Sequence, residues 1–239
     1  MAGDRLRVLH LTDLHMRQAL AGTANQRERL SRDIPKLLEC LGDRLSEWMP
    51  DVLVMTGDLL DVPDEVVNKS LSESAPGAYV EAVAQATSDY RWIHNWLEST
   101  ALDWVVIPGN HDHRAAFVDV FSTASPDMEL GGWRFIGFDD ALDGRRTPVR
   151  LHDEHWRFDA ALSEEDDRTP QIHLQHYILR PRLFRRTAYS YQSDAKLAAR
   201  VDLNSRVRAV LSGHYHPGAY ARSANDVTYS TGPAFCETP

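Results

Sequence analysis

The sequence predicts an α/β fold of two packed β-sheets flanked by helices, and three observations carry that expectation. Short apolar, β-branched runs alternate with longer stretches of helical periodicity. Each of the first three runs ends in a polar or glycine-containing cluster, as parallel strands do when a site lies beyond their carboxyl ends. No internal repeat, low-complexity tract or Pro/Gly-rich linker divides the chain, so residues 1–239 read as one domain with two layers of sheet.

The elements follow in order. Residues 6–12 (LRVLHLT) form the first predicted strand. Residues 27–48 then place Leu30, Ile34, Leu37, Leu38, Leu41, Leu45 and Trp48 on one stripe of a helix. Pro35 either kinks that helix or marks its effective start. Residues 51–56 (DVLVMT) are the second strand. Residues 62–76, rich in Ser, Asp, Glu and Pro, read as a loop or insertion. A helix over 78–97 leads into a third strand at 103–108 (DWVVIP). In the second half, 133–138, 170–176 and 207–212 are strand-like, 152–162 and 194–200 are shorter helices, and 218–222 and 226–230 are the final strands.

Composition sets outer bounds. At 239 residues, with 43% hydrophobic and 26% charged, the chain is an ordinary globular protein, which excludes wholesale disorder and fibrous repeats. The formal net charge of −9 disfavours indiscriminate binding to nucleic acid or anionic membranes. It does not exclude a phosphate-bearing substrate, because a bound metal pair reverses the local charge. The only two cysteines, Cys40 and Cys236, make no disulfide framework, which fits a reducing compartment. The first apolar run is too short for a secretory signal, and no stretch approaches the roughly 20 apolar residues that cross a bilayer. The expectation is a cytoplasmic protein without a transmembrane segment.

Five polar clusters fall at the predicted strand ends: Asp13-Leu14-His15, Gly57-Asp58-Leu59-Leu60-Asp61, Gly109-Asn110-His111-Asp112, His176, and Gly213-His214-Tyr215-His216. Any one alone reads more readily as structural. Together they collect carboxylate, imidazole and carboxamide donors at one sheet edge, a set suited to Mn, Fe or Zn and free of soft thiolates. Gly57, Gly109 and Gly213 sit where a strand must turn sharply to present the next side chain.

In this order the blocks D-x-H, G-D-x-x-D, G-N-H-[DE], a lone His and G-H-x-H resemble the calcineurin-like metallophosphoesterase superfamily, over most of the chain from Asp13 to His216. The resemblance implies an αββα sandwich and two divalent or trivalent metal ions (Mn, Fe or Zn). It implies that Asp13, His15, Asp58 and His216 hold one ion and Asp58, Asn110, His176 and His214 the other. Asp58 would bridge, since the two oxygens of a carboxylate can serve two cations. His111 would face the substrate, protonating the leaving oxygen or stabilising phosphoryl charge. Asp61 would orient it; the competing role for Asp61 is a helix N-cap. The implied reaction is hydrolysis of a phosphoester, foremost a phosphodiester of a small or nucleotide-like substrate, by a metal-activated hydroxide.

Departures from the pattern narrow the substrate. Val62-Pro63 follows Asp61 where protein Ser/Thr phosphatases continue with Arg-Gly, so the arginine for a terminal phosphate is missing. Tyr177-Ile178 follows His176 where many cyclic-nucleotide phosphodiesterases have a nearby Pro, and His111 stands where lipid A precursor pyrophosphatases typically have Arg. Alternatives are a nuclease akin to the break-repair nucleases, a phosphomonoesterase or pyrophosphatase, and, least favoured, a scaffold that has lost its metals. His10, His94, His113, His152, His155 and His173 are expected to be structural, with His113 the nearest to substrate. The basic stretch 180–186 reads first as a solvated loop, with contact to a substrate anion as the alternative.

Overall fold

The computed structural model describes residues 5–24, 26–163, 168–183, 189–191 and 193–237. The first half runs β1 (Val8–Leu11), α1 (Ile34–Trp48), β2 (Val52–Thr56), α2 (Asp64–Val67), α3 (Ser70–Ser74), α4 (Pro76–Ser99), β3 (Asp103–Ile107) and α5 (Arg114–Phe121). The second runs β4 (Asp127–Leu130), β5 (Trp133–Gly137), β6 (Ala141–Leu142), β7 (Pro148–Val149), α6 (His152–Ser163), β8 (Gln171–Leu174), α7 (Asp194–Leu203), β9 (Val207–Ser212), β10 (Ala219–Arg222) and β11 (Thr228–Thr231).

Strands β1-β2-β3 form a parallel sheet, and β10-β11-β9-β8-β5-β4 form a second whose inner strands are parallel and whose edge strands β10 and β4 are antiparallel. The period of two along each strand divides its side chains between two cores. Val52, Val54, Val105 and Ile107 meet Phe135, Ile172, Leu174 and Leu211 between the sheets. Leu53, Met55 and Val106 turn the other way and pack with Ile34 and Leu38 of α1, Tyr90 and Ile93 of α4 and Phe117 of α5. On the far side Ile136, Val210 and Tyr229 pack with Phe158 of α6 and Leu197 and Val201 of α7. The layers are therefore helix, sheet, sheet, helix, as expected. Burial on both faces is why these strands read as continuous apolar runs.

Local differences have physical reasons. Pro35 lies in the first turn of α1, so it marks the start and does not kink the helix; its missing N–H would be unpaired there in any case. Residues 62–76 are not a plain loop: α2 and α3 lie within them, each too short to display a 3.6-residue stripe. The strand predicted over 170–176 leaves the ladder after Leu174, which frees His176. Helix α5, edge strand β4 and the β6–β7 hairpin carry no apolar pattern strong enough to read beforehand. No described helix is long and apolar enough to cross a membrane.

Of the unassigned histidines, His173 is buried in the core and His10 lies half-buried at its edge. His10 Nε2 is 2.8 Å from Thr56 Oγ1, and His173 Nε2 is 3.1 Å from Gln171 Oε1. Burial lowers His10 to about 4, against a raising influence of Asp13; burial, then Arg150, Arg134 and Arg206, lowers His173 to about 3. Unfolding lets both rings take up a proton near pH 6.5 that the folded chain refuses until lower pH. Each should therefore remove stability as the pH falls from about 6.5, by up to about 1.4 kcal/mol per pH unit. Urea unfolding of a His173→Gln variant should show a shallower acid-side decline between pH 7 and 5 than the parent; equal slopes would contradict the assignment.

Candidate metal centre

Each polar cluster begins within two residues of the end of β1, β2, β3, β8 or β9. The pairing of β1 with β2 continues beyond the sheet: the amide N–H groups of Asp13, His15 and Met16 donate to the carbonyls of Gly57, Asp58 and Leu59 at 3.0, 2.8 and 2.9 Å. Asp13, His15, Asp58 and His214 all take left-handed backbone conformations, with φ of 53°, 47°, 51° and 63°. Side-chain-bearing residues adopt that region at a cost, and it persists where surrounding contacts dictate it. Gly57 is required as glycine, with φ of 97° and space for a Cβ only 2.5 Å from His176 Nδ1; a Cβ on Gly109 would overlap the Asp58 carboxylate.

The predicted residues gather into two groups. Donor atoms of Asp13, His15 and His216 lie within 4.8 Å of one another, and so do those of Asp58, His176 and His214. Asp58 also adjoins the first group: its Oδ2 is 3.5 Å from His15 Nε2 and 3.3 Å from His176 Nε2. In the first group Asp13 Oδ1 is 3.8 Å from His15 Nε2 and 3.5 Å from His216 Nε2. These spacings lie at or a few tenths of an ångström above those of ligands on a shared ion, since two atoms at about 2.1 Å from one cation stand roughly 3.0–3.4 Å apart at angles near 90–109°. Asp13 Oδ1, Asn110 Oδ1 and His176 Nε2 are buried without a hydrogen-bond partner. Buried orphan acceptors are costly, and a cation satisfies them. His176 Nδ1 donates to the Thr56 carbonyl at 2.8 Å, which turns the Nε2 lone pair toward Asp58.

The charges are interdependent. Burial pushes Asp13 up, but the neighbouring His216 imidazole and the charge of His176 outweigh it and bring Asp13 down to about 2. Burial acts likewise on Asp58, and His176 and His111 hold it well below the usual carboxylate range. Burial works against a charged His176, while Asp58 raises it to about 9. Without an ion, a proton on His176 offsets part of the carboxylate charge.

His111 lies beside this cluster, its ring centroid 4.9 Å from that of His15 and its amide donating to Asp58 Oδ1 at 2.8 Å. Its Nδ1 is 3.6 Å from Asp61 Oδ1, close but longer than a hydrogen bond. Asp61 is not a helix N-cap, since Pro63 precedes α2 in that position. It is buried between Arg17 Nε at 3.1 Å and Arg29 Nη1 at 2.5 Å, with His15 Nδ1 at 3.6 Å from the oxygen that faces His111.

Several residues escaped the sequence reading, three of them in the loops after β1, β2 and β3 and their surroundings. Arg17 and Arg29 belong to no motif, and nothing in the sequence joins them to Asp61. Asp112 was visible as the last letter of its block but had no role. Its carboxylate accepts from the amides of Gly109, Leu59 and Leu60 at 2.7, 3.1 and 3.1 Å and from the Tyr90 hydroxyl at 2.9 Å, tying the loop after β2 to the loop after β3.

His113 has a structural role, as expected, and the described arginines of the basic stretch are ion-paired. His113 caps α5, its Nδ1 accepting from the Ala116 amide at 3.2 Å, and Tyr79 Oη is 3.1 Å from its Nε2. Arg180 pairs with Asp202 at 2.7 Å and Arg182 with Asp194 at 3.3 Å, while Phe184, Arg185 and Arg186 lie outside the described residues. A cavity of about 350 Å³ opens beside Asn110, lined by Asn68, Gly109, Arg114, Leu142, Arg146 and Tyr177 among others.

Carboxylate, imidazole and carboxamide donors converging at the ends of two packed sheets define a candidate dinuclear metal centre. The chain belongs to the calcineurin-like phosphoesterase family, whose profile matches residues 6–218. That family is binuclear-metal dependent. The fold resembles a dimetal phosphatase from Danio rerio (TM-score 0.72, 12% identity, 98% of this chain and 89% of that one). It also resembles a phosphopantetheinyl hydrolase from Mycobacterium tuberculosis (0.52, 14%, 97% and 91%) and GAP50, the anchor in the inner membrane complex of Plasmodium (0.52, 10%, 98% and 75%). No curated protein sequence matches the chain.

The Tyr90 hydroxyl both donates to Asp112 and accepts from the His113 amide at 2.9 Å. Tyr90→Phe should therefore lower the unfolding free energy by about 1–3 kcal/mol, measured by urea denaturation. A change within error would show that the staple is dispensable.

Proposed function

We propose that the protein is a metal-dependent phosphoric ester hydrolase whose preferred substrate is a small or nucleotide-like phosphodiester, with residues 1–239 acting as one catalytic domain. Asp13, His15, Asp58 and His216 would hold one ion and Asp58, Asn110, His176 and His214 the other. The observation that carries this reading is the convergence of both donor groups on Asp58, beside three buried acceptors that have no partner. Ions of the Mn, Fe or Zn class, when bound, polarise phosphoryl oxygens and acidify water.

The chain's own groups do the rest. His111, which the resemblance does not make a ligand, is partly exposed, its side chain 15% accessible, and so is placed to meet substrate. Asp61, ion-paired with Arg17 and Arg29, faces His111 Nδ1 and leaves Nε2 for the scissile ester. There it donates a proton to the leaving oxygen or stabilises phosphoryl charge. The cavity beside Asn110 takes the organic group, with Leu142 and Tyr177 as apolar wall.

A diester suits the charge of the site. It carries one negative charge, and neither Val62 nor Pro63 provides the extra fork that a monoester dianion needs. Arg180 and Arg182 are committed to Asp202 and Asp194. One observation favours a monoesterase as the second reading: Arg146 lines the cavity, is largely exposed, and has only a loose ion pair with Asp64 at 3.9 Å. A nuclease is disfavoured by the net charge of −9, and a scaffold by retention of the whole donor set. Cys40 and Cys236 are both free thiols, which supports a reducing, cytoplasmic setting.

Metal analysis of protein reconstituted with Mn, Fe or Zn should give two ions per chain, and Asp58→Ala should lose most of the metal and activity together. No more than trace metal in the parent would overturn the reading. His111→Ala should keep metal and fold while kcat drops about 10²- to 10⁴-fold; metal loss as deep as that of Asp58→Ala would show that His111 is a ligand. For ester preference, kcat/KM should be higher for bis(p-nitrophenyl) phosphate than for p-nitrophenyl phosphate. The reverse order would replace the diesterase reading by the monoesterase.

A further inference from the structure

The family match ends at residue 218, yet the chain returns to the candidate metal centre after that point. Residues 232–237 run as a strap between the loop that follows β1 and the loop that follows β9. The amides of Gly232 and Ala234 donate to the carbonyls of Ser212 and His216, both at 2.9 Å. The amides of Phe235 and Cys236 donate to the carbonyls of Thr12 and Asp13 at 3.0 and 3.2 Å, and the Cys236 carbonyl accepts from the Leu30 amide at 2.7 Å. The strap thus joins loops of two different sheets, the same two that supply Asp13, His15 and His216 to the first donor group.

At its end the strap brings Glu237 Oε1 to 2.5 Å from His216 Nδ1. A carboxylate at Nδ1 holds the ring proton there and fixes the tautomer. The Nε2 lone pair then faces Asp13 Oδ1 at 3.5 Å and His15 Nε2 at 3.4 Å. His176 is held in parallel fashion, by the Thr56 carbonyl. Glu237 differs in coming from outside the matched residues.

Resting on the two-ion reading above, we propose that Glu237 is a positioning residue for His216, and that the strap 232–237 completes the first of the two cation sites. The side chain does not touch substrate. It orients a ligand and raises its basicity, and loss of such a partner weakens metal binding about 10- to 100-fold. Glu237 is partly exposed, its side chain 31% accessible, so the fold does not depend on its burial.

The test uses Mn(II) alone as the probe, with calorimetric titration of the full chain and its Glu237→Ala and Glu237→Gln variants, and a melting temperature for each metal-free protein. The parent should bind two ions. Glu237→Ala should weaken one of them about 10- to 100-fold, leave the other unchanged and melt with the parent. Glu237→Gln keeps an acceptor for Nδ1–H and should retain most of the affinity. Two unchanged affinities in Glu237→Ala, or equal weakening of both ions with a lower melting temperature, would overturn the inference while the two-ion reading stands. Glu237→Gln as weak as Glu237→Ala would overturn orientation by the hydrogen bond. A parent that binds no Mn(II) would overturn both.

Discussion

Two carboxylates buried side by side in the seam between two sheets set the terms for everything around them. Asp13 and Asp58 are almost without solvent contact, and the charge of Asp58 works against ionisation of Asp13. A buried anion is costly unless it is paired and hydrogen-bonded. The chain meets that cost with close donors: Thr12 Oγ1 and the His214 amide to Asp13 Oδ2, and the His111 amide to Asp58 Oδ1. The imidazoles of His15, His176 and His216 face the remaining oxygens. Four of the candidate ligands, Asp13, His15, Asp58 and His214, take left-handed backbone where the chain turns from strand into this cluster.

This arrangement makes the centre a product of packing between layers. The first sheet supplies Asp13, His15, Asp58, Asn110 and His111; the second supplies His176, His214 and His216. Their separation is fixed by the interlocked Val54, Ile107, Phe135 and Leu174 beneath them. Around the rim, Asp112 with Tyr90 joins two loops of the first sheet, and the two-arginine cradle of Asp61 supports the ring edges of His15 and His111. A close-packed interior transmits small changes, so substitutions in these supports should reach the ligand atoms without touching them.

How much of this was legible in the sequence depended on the range of the interaction. The parallel strands β1, β2 and β3 showed themselves because burial on both faces leaves an unbroken apolar run, and α1 because its stripe is long. The donor set was legible because each strand end deposits its polar cluster in a short, contiguous block. Helices α2 and α3 and strand β4 were not, being too short or too exposed to carry a period. Nor were the partners of the site: Arg29 reaches Asp61 across 32 positions and Glu237 reaches His216 across 21, held by tertiary contacts with no local signature. Asp61 itself was open to two roles until the start of α2 was fixed at Pro63 and Asp64.

The central claim is that Asp58 joins two cations into one centre. Electron paramagnetic resonance of the protein loaded with two equivalents of Mn(II) tests it most directly, because ions bridged by a shared carboxylate are magnetically coupled. The account predicts the broad, temperature-dependent spectrum of a coupled Mn(II) pair. The six-line spectrum of isolated Mn(II) ions at full loading would contradict it.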